Sequence, residues 1–416
     1  MCKRISWFVT LLFLFTTACG EIPLPDPPST ATPTAAPPSL PPGSEIVYID
    51  SGGNIVMWTQ TNTPVQLTTS GGVRGVRISS DGKYVAYVDG TGALLVLEPG
   101  PPLSTPRQLI TTDYLKRLSS SVDTQPEIEE FYFIPKKSEI MLVIKVTRDI
   151  GGEDIFKVDA KDPNPLPVRM FAPGMCGGMH FSPDGEWFVL TLQNEMLLSR
   201  TDGTKSTTLF DNFPLSLGLG GRGGPDVVWE DNSSAFYVET PTFIDGKLYE
   251  TFTVWQVSVQ SPTPVSKYVF TAQLFHPAYL SLRGTRVLYV FDQGDLDDYR
   301  LDNNGTVSSY FTYPHGQVGF LGWRPPALSE TDSACFAIWQ NTPPVLKLVC
   351  PGNSIQDLTN SQLPFVSSFR WADAQRFLYV TANNLLVLQM VGSTTTPLGA
   401  ISINPNSSLP VFDFIH

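Results

Sequence analysis

The chain repeats one local pattern: a short apolar run, a compact polar turn, then a longer and nearly unbroken apolar run. The clearest copy is Met179–Leu190, MHFSPDGEWFVL. Related stretches begin at Val76 (VRISSDGKYVAYV), Phe131 (FYFIPKKSEIMLVI), Val227 (VVWEDNSSAFYV), Tyr279 (YLSLRGTRVLYVF), Leu321 (LGWRPPALSETDSACFAIW) and Phe369 (FRWADAQRFLYV). That makes seven copies, at spacings of about 42 to 56 residues. Each is followed by a second β run after a short turn (ALLVLEP, DIFKVDA, VLKLVCPG, LLVLQMV) and then by a weaker, more polar run (RQLI, KSTTLF, KYVF, IQDLT). The unit therefore has four strands, A to D. Strand B is apolar on both faces, as a strand sandwiched between neighbouring sheets requires. Strand D is short and polar, which suits an outer edge that must not recruit other strands. No long window holds an apolar period of 3.6 free of Gly or Pro, so no long helix is expected.

Four strands per unit at this period predict an all-β fold, a single β-propeller. The ends complete the count. The stretch from Ile46 supplies strands B, C and D with no A before them, and the chain closes on SSLPVFDFIH, a strand with no B after it. Joined, they make one composite blade, and the ring has no open edge. Seven full copies and this composite predict eight blades, with seven as the alternative. The units resemble the TolB-like propeller repeat, whose hallmark is an apolar strand, S-P-D-G and a buried strand. Met179–Leu190 matches it fully, and Val76–Val88 nearly so, with Ser80 in place of Pro. The resemblance covers about residues 45–416 and implies architecture, not activity: members serve as envelope interaction modules, ligand binders and gating domains on peptidases.

The first 43 residues read differently. Lys3-Arg4 and the apolar Ile5–Phe15 form a targeting signal over residues 1–18, its apolar segment too short to span a bilayer comfortably. Thr16-Thr17-Ala18-Cys19-Gly20 resembles the lipobox of bacterial lipoproteins, which implies cleavage before Cys19 and lipidation of its thiol. The departure is Thr16, where that family usually has Leu. An ordinary signal cut after Ala18 and an uncleaved anchor are the alternatives. Nine Pro fall among residues 21–43, so residues 19–43 read as an extended tether before a domain at 44–416. These features place the chain in the cell envelope, held to a membrane by an N-terminal lipid and facing outside the cytoplasm.

Charge narrows the partners. The formal net charge of −12, two units more negative once Lys3 and Arg4 are removed, argues against nucleic acid and anionic membrane surfaces. A monomeric domain with membrane lipid at its anchor and a protein partner in the envelope is expected.

The candidate chemistry is sparse. Ser182-Pro183-Asp184-Gly185 invites a nucleophile reading, but Pro and Gly sit where a tight turn wants them, and Ser182 has no recognisable base. No G-x-S-x-G elbow is present, so the hydrolase domain that can follow TolB-like propellers is not expected. The four histidines are scattered without zinc-ligand spacing. Asp292, Asp295, Asp297 and Asp298 form an acidic run in an expected B–C turn, a weak calcium candidate lacking the usual loop pattern and distal Glu. The glycine-dense stretch 218–224 is followed by a strand, not by the helix a phosphate loop needs. It reads as an inter-blade loop, like Thr111–Glu127. In a propeller the D–A and B–C loops share the face around the channel mouth, so Glu127, Arg222, Asp226, His276 and His315 are the candidate ligand-binding residues. No catalytic residue and no cofactor is assigned. Cys335 and Cys350 lie on strands B and C of one blade. Pairing Gln340 with Val345 across the hairpin puts the two cysteines directly opposite, and a Cys335–Cys350 disulfide is predicted. Cys176 stays unpaired. These readings point to a non-enzymatic interaction or scaffolding propeller. The alternative is a ligand- or carbohydrate-binding propeller, even a glycan-active one, using the channel-mouth loops; whether it catalyses anything stays open.

Overall fold

The computed structural model describes residues 44–415 except 60–62, 101–103, 119–124, 147–151, 176, 193–194, 212–226, 245–246, 272–276, 284–285, 292–295, 302–306, 314–317, 324–334, 342–343, 351–353, 359–364, 392–394 and 402–408. Apart from one seven-residue helix, its regular elements are strands, all in four-stranded antiparallel sheets. Seven sheets are built from four consecutive strands each. The first is β4 to β7 (Gly75–Ile78, Val85–Val88, Leu94–Leu97, Arg107–Ile110). The next is β8 to β11 (Glu127–Phe133, Glu139–Lys145, Glu153–Asp159, Val168–Arg169). Then come β12 to β15 (Gly178–Phe181, Trp187–Thr191, Met196–Arg200, Ser206–Phe210) and β16 to β19 (Val227–Trp229, Ala235–Ile244, Lys247–Ser258, Val265–Thr271). They are followed by β20 to β23 (Pro277–Arg283, Arg286–Phe291, Leu296–Leu301, Val307–Tyr313) and β24 to β27 (Val318–Trp323, Phe336–Asn341, Pro344–Cys350, Ser354–Asp357). The last is β28 to β31 (Phe365–Trp371, Arg376–Thr381, Leu385–Met390, Thr395–Ala400). One further sheet joins the two chain ends: β1 to β3 (Glu45–Ile49, Ile55–Trp58, Pro64–Gln66) with β32 (Phe412–Ile415). The fold is an all-β propeller of four-stranded blades, closed by its C-terminal strand.

Burial explains the strand types. All four residues of β5 are buried, and so are five of the seven in β9. They feed apolar clusters that straddle neighbouring sheets. Val47, Ile49 and Ile55 pack with Val76, Val85 and Tyr87; Ile134 and Met141 pack with Phe188 and Leu190. A strand sealed on both faces loses alternation, and sheet-to-sheet burial is the main force holding the ring. The fourth strands are outermost. Every residue of β3 and β11 is exposed, and β11 is only two residues long, a short edge that gives other chains little to pair with.

Closure is direct. Glu45 to Tyr48 of β1 pair with Ile415 to Phe412 of β32. The C-terminal segment also reaches the next blade: Val76 N–H donates to Pro410 O at 2.9 Å, and Ile78 N–H donates to the Asp413 carboxylate at 3.1 Å. Gly75 leaves room there, since a Cβ would lie 2.6 Å from Leu409 Cβ.

In the sixth full unit, Gln340 pairs with Val345 as the sequence implied, and Cys335 and Cys350 are joined as a disulfide with Cα atoms 4.2 Å apart. One expectation is corrected. The stretch read as a long 111–127 loop holds helix α1 (Thr112–Leu118), docked through buried Leu115, and Glu127 already belongs to β8.

Candidate functional site

The two most polar features of the repeat behave differently. At the A–B corner Ser182–Gly185, Ser182 N–H donates to Trp187 O at 2.9 Å, and Trp187 N–H donates to Ser182 Oγ at 3.0 Å. Ser182 Oγ donates to Asp184 Oδ1 at 2.6 Å, and Glu186 N–H donates to the same oxygen at 3.0 Å. Burial raises the Asp184 carboxyl, but these hydrogen bonds together bring it below the usual carboxylate range. Gly185 has φ +72°, and a Cβ there would lie 2.0 Å from Pro135 O of the preceding blade. The corner Ser79–Gly82 repeats the design: Ser79 Oγ donates to Asp81, accepts from Tyr84 N–H, and Gly82 has φ 71°.

The corners also touch each other. Lys136 N–H donates to Ser80 Oγ at 2.8 Å, and Asp184 N–H donates to Ser233 Oγ at 3.0 Å. They are joints between blades, and the Ser182 hydroxyl is spent within its own turn. The opposite loops meet in the same close way. Val73 N–H donates to Gly53 O, and a Cβ on Gly90 would lie 3.2 Å from Gly72 O, so the B–C turns at 51–54 and 89–93 pack against the D–A loop at 70–73. The sharing of one face by these loops is thus seen here.

The inner strands supply a different set of polar groups. First strands of successive blades approach one another, β32 against β4 and β4 against β8, which places them around the propeller axis. Two residues before each corner lies an equivalent position. It holds Arg77 in β4, Tyr132 in β8, His180 in β12, Val228 in β16 and Arg370 in β28. In the composite blade β32 contributes Asp413. Arg77 pairs with Asp413 at 3.5 Å, donates from Nε to Phe131 O at 3.3 Å, and lies 5.0 Å over the Tyr132 ring. Tyr132 donates to Glu130 Oε2 at 3.0 Å. Burial, reinforced by the Glu130 carboxylate, pushes the Tyr132 phenol up to about 12. Burial holds His180 down at about 4, so it is neutral at pH 7. Arg370 is open to solvent, yet the protein around it and the charge of Arg77 lower its guanidinium pKa, with Asp413 and Tyr132 opposing. Arginines, carboxylates and a phenol from four blades thus meet on rigid strands, an arrangement suited to binding an ionic or hydrogen-bonding group.

Of the residues expected to bind a ligand, Glu127 is exposed at the start of β8, in register with Lys145. Arg222, Asp226, His276 and His315 lie outside the described residues, as do Cys19 and Cys176. The acidic run does not occupy one turn. Asp297 and Asp298 stand in β22, opposite Tyr289 and Leu288, because their strand continues the hairpin ladder; Asp292 and Asp295 lie outside the described residues. Among the described residues no three His, Cys, Asp or Glu are grouped to hold a metal. No helix of the described residues is long and apolar enough to cross a membrane. The inner-strand set was missed because a single Arg in an apolar strand looks like noise. Stacking the repeats on their corners would have exposed it: GVRISSDG and SFRWADAQ carry Arg at the same position.

No protein-family model matches the chain, and no curated protein matches it. Solved structures do. Dipeptidyl peptidase 4 of Porphyromonas gingivalis aligns at TM-score 0.50 and 12% identity, over 80% of this chain and 53% of that one. Prolyl oligopeptidase B of Galerina marginata aligns at 0.51 and 10%, over 81% and 52%. A eukaryotic initiation factor aligns at 0.50 and 10%, over 86% and 97%. The chain spans about half the length of the two peptidases it resembles. At such identities the likeness is one of fold alone: the chain shares the architecture of these proteins.

Proposed function

We propose that this protein is a non-enzymatic interaction module, an exported propeller that a lipid on Cys19 and a proline-rich tether hold at the outer face of a bacterial membrane. One observation carries the recognition part of this reading. Arg77, Glu130, Tyr132, Arg370 and Asp413 come from the inner strands of four blades, and their positions are fixed by sheet packing. Such groups discriminate partners by charge and hydrogen bonding. The serine that most resembled a nucleophile is already committed to its own turn. The lipobox-like Thr16–Gly20 and the nine prolines of residues 21–43 support the anchoring part.

Two experiments test it. In a bacterial host, palmitate should label the full chain and not the Cys19→Ala variant; equal labelling of both defeats the anchor. A pull-down with the tether intact should recover a defined envelope protein in stoichiometric amount, and lose it when Arg77 and Arg370 are both replaced by Gln. Recovery unaffected by those replacements would remove the inner strands from the reading.

A further inference from the structure

The inner strands β4 and β12 pair regularly with their neighbours, but β28 does not. Its register slips twice, between Phe365 and Ser367 and again between Ser367 and Arg370. Ser368, inside the second slip, has φ 56°, a left-handed conformation that a non-glycine residue rarely adopts. Bulges of this kind re-aim a side chain and gather at functional sites. Here the residue immediately after the bulge is Arg370. The strand β8 also slips, between Ile128 and Glu130, so Glu130 too follows an irregularity.

Arg370 makes no hydrogen bond or ion pair among the described residues, although it is near enough to Arg77, Asp413 and Tyr132 to feel their charge. Among the described residues the carboxylates of this cluster have other partners. Asp413 accepts from Ile78 N–H and faces Arg77. Glu130 accepts from the Tyr132 hydroxyl. A guanidinium kept beside another cation, open to solvent and without its own carboxylate, is electrostatically unfavourable until an anion arrives.

We propose that Arg370, with Arg77 beside it, forms a carboxylate-binding site at the centre of the propeller, which deepens the interaction reading above and rests on it. The planar fork of a guanidinium matches a carboxylate in a bidentate pair. Charge selects the class. Among the described residues the two arginines stand with the carboxylates of Asp413 and Glu130, so the site accepts one negative charge more readily than two. A monocarboxylate fits; a phosphate dianion meets two standing carboxylates. The carboxylate can belong to a free organic acid or to the end of a peptide.

Titration calorimetry of the full chain at low salt tests this, with benzoate, a tetrapeptide bearing a free C-terminal carboxylate, the same peptide amidated, and inorganic phosphate as probes. Benzoate, the free-acid peptide or both should bind, the amidated peptide should not, and phosphate should bind at least tenfold more weakly than the better carboxylate. Benzoate alone identifies a free acid as the source; the peptide alone identifies a chain end. Arg370→Gln should weaken binding at least tenfold with an unchanged melting temperature. Arg370→Lys, which keeps the charge and loses the fork, should fall between, and serves as the test if the Gln variant does not fold. No binding by either carboxylate, undiminished binding by the variant, or tighter binding of phosphate would overturn the proposal. Partner capture by a chain that binds neither carboxylate overturns this inference alone. Carboxylate binding without partner capture overturns the interaction reading alone.

Discussion

The corner Ser182–Gly185 and the inner-strand cluster around Arg370 are both polar, and they are opposites. At the corner every conspicuous group has a local partner: the serine hydroxyl, the aspartate and the backbone amides close on one another within six residues. On the inner strands one arginine is held close to a second and, among the described residues, has no hydrogen bond or ion pair of its own. Polarity that satisfies itself builds the fold, and polarity left open is available to another molecule. The useful question about a polar motif is therefore where its hydrogen bonds end.

The comparison can be broken or sharpened by experiments of decreasing effect. Removing residues 409–416 should be the most damaging change, since it takes away β32, opens the closing sheet and strips β4 of the Pro410 and Asp413 contacts. Thermal unfolding should lose its single cooperative transition; a sharp transition near the wild-type midpoint would show that closure is dispensable. At the corner, Gly185→Ala meets both a positive φ and a carbonyl 2.0 Å away. A loss of about 2–4 kcal/mol in denaturant titration is expected, with carboxylate binding unaltered in the folded fraction. Replacing Cys335 and Cys350 by Ser opens a disulfide spanning 15 residues and should cost up to about 3 kcal/mol, seen equally on reducing the wild type.

Smaller still is the effect of acid on His180. Its folded pKa near 4 lies below the ordinary 6.5, so the unfolded chain takes up the proton first. Its contribution to stability is complete above pH 6.5 and declines as pH falls toward 4, by less than about 3 kcal/mol. A His180→Gln variant should lack that part of the pH slope, and an identical slope would refute the assignment. Smallest is Arg370→Gln, expected to change stability by no more than about 0.5 kcal/mol in either direction. If it destabilises the protein as much as Gly185→Ala does, then Arg370 is part of the scaffold and the contrast between the two regions fails.

Much of the fold was legible because the physics is local and repeated. The double-sided burial of β5 and β13, the polar turns between A and B and the stranded half-units at the two ends are all visible in the residue order. The cysteine pairing followed from hairpin register alone. The candidate site was not legible in the same way. Glu127 resembles the end of a loop in the residue order but opens a strand, because the alternation of Glu127–Phe133 is hidden by three acidic residues. Asp297 and Asp298 looked like turn residues by composition, yet ladder pairing with β21 holds them in a strand. The bulges of β8 and β28 leave no mark that a period-two reading detects, and Ser368 carries none of the glycine signal that usually betrays a left-handed residue. Arg77 and Arg370 lie 293 positions apart in the chain and meet only because a ring brings its first and last blades together.

That ring closure has a mechanical consequence. β1 runs between β2 and β32, antiparallel to both, with Glu45 opposite Ile415. A force drawing on the chain at Glu45 acts along the strand, across ladders whose hydrogen bonds stand perpendicular to it. The bonds on both flanks then share the tension at once instead of parting one after another. A propeller pulled at Glu45 is gripped in shear on two sides, by β2 and by β32.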